Sequence, residues 1–247
     1  MSGTTITPEQ LTKQLADALP ERLRSVVLYG SAAAGDFVPG ASNYNLLVVV
    51  ESLALAELDK LAPPVAAWIR AGNPQPLLFT QKQLFASRDA FPIELMDIRK
   101  SRRVLWGDDV LAELIVKPGD LRLQVERELT GKLLKLRARY MLASGNVEAV
   151  NQLMLQSLST FLVLFRAALR VYEETAPERK LDALRALAQH IDFDTRPFER
   201  FFEFKELTTR PSGTAVDVSF VDYLNSIECV AHAINRDPHS QGASHVD

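Results

Sequence analysis

Between Val26 and Val50 the sequence VVLYGSAAAGDFVPGASNYNLLVVV gathers residue types that could hold a phosphate. Gly30 lets the backbone approach a ligand closely, and Ser31, at the start of a short helix, sets a hydroxyl beside backbone N–H groups that have no partner within the helix. Together they form an anion site that would suit a triphosphate. Asn43 and Asn45 open an apolar strand, where alternation sends both from one face and Tyr44 from the other, so the two asparagines can share one ligand. The plain alternative is a strand, a loop and a strand whose asparagines serve a turn.

These residues need a frame to hold them. A short apolar strand over residues 26–29 leads into Gly30, a small-residue turn contains Gly35, a loop holds Pro39 and Gly40, and a second strand runs over residues 46–50. Upstream, Thr7-Pro8-Glu9-Gln10 reads as a capped helix start, with Pro8 in the first turn and Gln10 completing a capping box. Downstream, residues 53–71 read as a helix interrupted near Pro63-Pro64, residues 76–79 as a strand and 80–87 as a short helix. Residues 91–98 (FPIELMDI) and 102–105 read as further strands. The sum is a small mixed sheet flanked by helices.

The segment resembles the active-site motif of the DNA polymerase beta-like nucleotidyltransferase superfamily, in particular its bacterial antibiotic and minimal nucleotidyltransferases. That pattern runs apolar strand, Gly-Ser, a spaced glycine, then Ser-Asp-x-Asp opening an apolar strand. Here Gly30, Ser31, Gly35, Ser42, Asn43, Asn45 and residues 46–50 hold those places. The resemblance covers roughly residues 24–106 and implies an α/β (α+β) nucleotidyltransferase-type domain with a small mixed sheet, in which Gly30, Ser31 and Ser42 meet the nucleotide. It also implies a third carboxylate from a later strand. Glu94 is the best match, and Asp97 would face the other way. Arg99, Lys100, Arg102 and Arg103 follow closely and could reach a triphosphate, against the plainer reading of surface charge.

The departure from the pattern carries more than the match. In the family, paired aspartates hold two Mg²⁺ ions, one activating the attacking hydroxyl and one neutralising the triphosphate. Asparagine offers a neutral carbonyl oxygen instead. Unit charges about 4 Å apart interact by roughly 4 kcal/mol at an effective dielectric of about 20, and a divalent ion doubles that. Desolvation offsets much of it, yet losing both aspartates should remove tight metal binding. The expected protein is a degenerate nucleotidyltransferase, a pseudoenzyme that binds ATP or GTP weakly and acts as a sensor or interaction protein. At most a weak Mg²⁺ would sit between Glu94 and the carbonyls of Asn43 and Asn45. Two alternatives stay open. One is a working enzyme that moves a nucleoside monophosphate to a hydroxyl of a small molecule or protein; the other is an antitoxin-like partner of a helical toxin.

Composition agrees with a two-domain, bacterial-type protein. A chain of 247 residues with 47% hydrophobic content can bury a substantial core. A net charge of −3 gives no footprint for duplex nucleic acid. The single cysteine, Cys229, excludes an intrachain disulfide and a cysteine-rich zinc site. The N-terminus lacks signal-peptide regions, and no apolar run approaches the roughly 18 residues of a membrane span, so cytoplasm without membrane contact is expected.

Past Trp106-Gly107 the periodicity turns helical, which divides the chain into a nucleotidyltransferase-like domain (1–106), an all-α helical bundle (107–236) and a flexible tail (237–247). Leu121, Val125, Leu129, Leu133, Leu136 and Tyr140 recur at spacings of three and four. A second long helix follows from residue 147, apolar on all sides over residues 161–165. Phe198, Phe201 and Phe202 share a face of a later helix and suit core or an oligomer contact, and a homodimer through the helical domain is expected. Lys132, Lys135 and Arg139 share one face of the first long helix, with a solvated face as the plain alternative. Arg185 and His190 have the Arg-x4-His spacing of a ribonuclease motif found in helical toxins, but Ala186 stands where that motif carries a polar residue, so ordinary helix residues are the better reading.

Overall fold

The computed structural model describes residues 6–34, 43–173, 175–206 and 215–236. Gly35, Pro39, Gly40, Ser42 and the expected tail lie outside the described residues. The chain forms two compact units, Met1–Lys117 and Pro118–Asp247.

In the first unit, α1 (Pro8–Ala18) starts at the expected capping box: the Thr7 hydroxyl accepts from the Gln10 amide at 3.2 Å, and the Gln10 side chain accepts from the Thr7 amide at 2.9 Å. Leu11 and Leu15 are fully buried against one face of a sheet. That sheet holds β1 (Leu23–Tyr29), β2 (Asn45–Val50), β3 (Leu77–Thr80) and β4 (Arg102–Gly107) in the order β3-β2-β1-β4. β1 is antiparallel to β2 and β4, and β2 is parallel to β3, giving the mixed sheet expected. The central strands are apolar on both faces because both are covered. Val26, Leu28, Leu46, Val48 and Val50 pack toward α1 and α3 (Leu55–Arg70), while Val27, Leu47 and Val49 pack with Leu84, Leu95 and Ile98. The latter come from α4 (Gln81–Ala86) and α5 (Pro92–Lys100).

Three expectations need correction. Helix α3 runs unbroken through Pro63 and Pro64. The carbonyls that lose their donors belong to Asp59 and Lys60, which are exposed and open to water, while Leu61 and Trp68 anchor the buried side. Residues 92–98 belong to helix α5 and not to a strand: Pro92 presets the first turn, and Pro92, Leu95 and Ile98 repeat every three residues on the buried side. Glu94 therefore comes from the first turn of a helix, where it is exposed. Finally, the first unit extends beyond Trp106-Gly107 to Lys117, because Val110, Leu111 and Leu114 fold back into the sheet's second core.

The second unit is helical: α6 (Pro118–Ala143), α7 (Val147–Tyr172), α8 (Lys180–Leu187), α9 (Arg196–Glu206) and α10 (Ala215–Asn235). Asn146 caps α7 by accepting from the Ala149 amide at 3.0 Å. α7 is long and apolar enough to cross a membrane by length and composition, unlike the expectation from the sequence. Its apolar residues instead form the centre of the unit, with Phe161, Leu162 and Phe165 at 1% exposure or less. Phe165 meets Phe198 at 5.0 Å between ring centroids, and Phe161 meets Tyr223 edge-on at 6.1 Å. Phe198 and Phe201 thus go to the core.

Candidate functional site

The end of the sheet where β1 runs into Gly30 brings together Gly30, Ser31, Asn45 and Arg102. Tyr29 pairs with Asn45 on one side and with Arg102 on the other, so the three stand in a row across β2, β1 and β4. Gly30 has φ +78°, a conformation open to glycine, and a Cβ placed on it would come within 3.3 Å of the Asn45 side-chain nitrogen. Its amide donates to the Ser101 carbonyl at 2.9 Å, tying the turn to the end of α5. The amides of Ala33 and Ala34 donate to the Gly30 carbonyl at 3.0 Å, which winds Ser31 into the short helix α2 (Ser31–Ala34). A small residue, a half-buried asparagine amide and a serine at the turn thus sit together.

Asn45 follows the alternation of Leu47 and Val49, and Tyr44 lies on the other side, packed on the first core with its ring 6.3 Å from Trp68. Asn43 is exposed just ahead of the strand. α5 covers the Asn45 face of the sheet, but its Ser101 end is the end at Gly30, and at 1.5 Å per residue Glu94 stands roughly 10 Å back along the axis. The later strands do not replace it: β3 (LLFT) and β4 (RRVLWG) contain no carboxylate.

The arginines that follow are occupied. Arg102 grips Asp109 from two nitrogens, at 3.0 and 2.7 Å, and also donates to the Arg99 carbonyl. Arg99 donates to the Leu114 carbonyl at 3.2 Å, and Arg103 pairs with Glu9 at 3.0 Å. The Arg102 guanidinium holds the Asp109 carboxyl below the usual carboxylate range, while burial pushes the Tyr29 hydroxyl up. Tyr29 and Asp109 were missed by sequence reasoning. The signal for Asp109 was present in Gly107-Asp108-Asp109: Gly107 has φ +68°, and a Cβ there would lie 1.9 Å from the Arg24 carbonyl, so the chain must turn sharply there and bring an acid back to Arg102.

A solved structure, that of spectinomycin adenyltransferase AAD(9) from Enterococcus faecialis with ATP and spectinomycin, matches this chain with a TM-score of 0.52, over 94% of this chain and 100% of that one. The fold is that of a nucleotidyltransferase. Sequence identity is 14%, so the likeness is one of fold. No family model matches the chain, and no curated protein matches it.

Within this nucleotidyltransferase fold, the residues present can be tested against a pair of Mg²⁺ ions. Such ions want several oxygens, carboxylates among them. The Gly30 turn offers the two neutral amides of Asn43 and Asn45, no carboxylate on β3 or β4, and an exposed Glu94 on a helix. Among the described residues, this donor set does not fit. Among the described residues, no group of three or more His, Cys, Asp or Glu side chains is placed to hold a metal. In the helical unit, Arg185 pairs with Glu199 at 2.7 Å, and His190 meets Glu173 at 2.8 Å while stacking on Tyr172. Each has its own carboxylate partner.

Proposed function

We propose that this protein is a nucleotidyltransferase-fold pseudoenzyme of the cytoplasm, which binds ATP or GTP weakly at the Gly30-Ser31 turn and acts as a sensor or interaction protein. The observation that carries this reading is that the Asn45 amide stands beside the Gly30 turn, within 3.3 Å of where a Cβ on Gly30 would lie, at the place where the resemblance puts a metal-binding aspartate. A glycine at the turn keeps a side chain off the backbone there, and Ser31 supplies a hydroxyl. The asparagines supply carbonyl oxygens and amide donors but no charge to hold a metal with the triphosphate. The solved relative in fold was obtained with ATP, which supports a nucleotide as the ligand class. Arg102, paired with Asp109, adds little attraction, so affinity rests on neutral hydrogen bonds. Calorimetry with ATP and GTP, in chelator and in Mg²⁺, is expected to give dissociation constants no tighter than micromolar, about −8 kcal/mol, that barely change with the metal. Submicromolar binding that collapses in chelator would contradict the proposal.

A further inference from the structure

The helical unit contains a groove with a charge the rest of the chain does not lead one to expect. It lies along α6 and α7, encloses about 430 Å³, and is lined by Lys132, Lys135 and Arg139 from α6 and by Gln156, Ser157 and Thr160 from α7. Leu136, Leu153 and Phe161 contribute an apolar floor. The lining holds three cations and no carboxylate, in a chain whose net charge is −3. Two other arginines of the bundle meet acids: Arg137 pairs with Glu228 at 2.6 Å and Arg122 with Glu126 at 3.3 Å. In the groove, Lys132 reaches only Glu128, at 4.0 Å, and Lys135 and Arg139 have no ion pair among the described residues. Their spacing on α6 is helical, so the three side chains rise in sequence along one wall over about 10 Å. Opposite stand an exposed amide and an exposed hydroxyl, Gln156 and Thr160. The Ser157 hydroxyl is held in place by the Met154 carbonyl at 3.1 Å and the Tyr223 hydroxyl at 3.0 Å.

We infer that this groove is a binding site for a small, multiply phosphorylated molecule. Clustered like charges cost stability when nothing faces them, and an anion with several charges removes that cost while forming charge-assisted hydrogen bonds. Arg139 can grip one phosphate with two N–H groups, and the lysines act as point charges on its neighbours. The apolar floor takes the organic part of the ligand, as in other small-molecule pockets. The concave shape and the short row of cations favour a compact polyanion over a nucleic-acid backbone, which needs a longer track.

The probe is inorganic tripolyphosphate, titrated calorimetrically at one fixed ionic strength into the full-length protein. Saturable binding is expected in wild type, weakened roughly tenfold or more in Lys135→Ala/Arg139→Ala. The charge-matched control Lys13→Ala/Lys60→Ala, both exposed on the other unit, should bind as wild type does. Circular dichroism melts verify that each variant is folded, and the single change Arg139→Gln, expected to weaken binding by a smaller factor, replaces the double variant should that one unfold. No saturable binding up to millimolar tripolyphosphate overturns the inference. So does an equal loss in the control, an unchanged affinity in the groove variants, or a single-stranded RNA that binds the groove more tightly than tripolyphosphate. Failure here leaves the Gly30 proposal standing. Conversely, binding of both tripolyphosphate and ATP that is lost in the groove variants supports the groove and sinks the other reading.

Discussion

The basic residues beside the Gly30 turn and those in the α6–α7 groove are engaged in opposite ways. Beside the Gly30 turn, Arg99, Arg102 and Arg103 are all held by carbonyls or carboxylates of their own unit, so the guanidiniums that the sequence offers to a triphosphate serve the fold. In the α6–α7 groove, Lys135 and Arg139 have no acid partner among the described residues. A basic run in sequence is thus no measure of charge available to a ligand. What decides is whether an acid returns to it through the fold, as Asp109 does after the turn at Gly107.

The largest effect should come from removing that turn. Gly107→Ala places a Cβ where the Arg24 carbonyl stands and forces a positive φ on alanine, so β4 must shift away from β1. A loss of about 4 kcal/mol in chemical denaturation is expected. A loss under about 1 kcal/mol would mean that β4 and Arg102 are not fixed in the described geometry. Asp109→Asn is a milder change. It releases Arg102 toward the Gly30 end of the sheet, so ATP affinity should rise about threefold, while stability falls by less than about 1 kcal/mol because the pair is partly exposed. The sign of the pH effect follows from the lowered folded pKa of Asp109. Its contribution is complete above the unfolded value of about 3.9 and is lost as pH falls through the folded value. Acid titrations should therefore show a shallower loss of stability below about pH 4 in Asp109→Asn. The smallest effect is the contrasting one: Lys135→Ala/Arg139→Ala should stay within about 0.5 kcal/mol of wild type without ligand, since neither residue supports the fold through an ion pair. A loss above about 1 kcal/mol would erase the contrast between the units.

Local signals in the sequence carried much of this architecture. The Thr7 capping box, the two strands around Gly30, the short β3 and the long amphipathic helices each depend on neighbours in the chain, and all are found where the pattern places them. Residues 91–98 misled because apolar residues at alternate positions within so short a run fit a strand as well as a helix, and Pro92 was the cue for the helix. Pro63 and Pro64 misled in another way, since a helix anchored by Trp68 and Leu61 tolerates open carbonyls on its wet side. At the candidate site, the turn at Gly30 and the strand face of Asn45 were legible because both are local features. The pairing of Arg102 with Asp109 was not, because it depends on the backbone conformation at Gly107.

The central claim is that Asn43 and Asn45 stand where the fold would keep metal-binding aspartates, and repairing them tests it most directly. Asn43→Asp/Asn45→Asp changes side-chain volume very little, so the fold should persist. Without metal, the new carboxylates repel each other and raise at least one pKa, which costs stability; a divalent cation relieves that repulsion. Thermal melts of the double variant should therefore lie below wild type in chelator and recover on adding Mg²⁺ or Mn²⁺, more so with ATP, while wild type responds little. A double variant whose melting is indifferent to metal would contradict the account, because the two positions would then not face a common site.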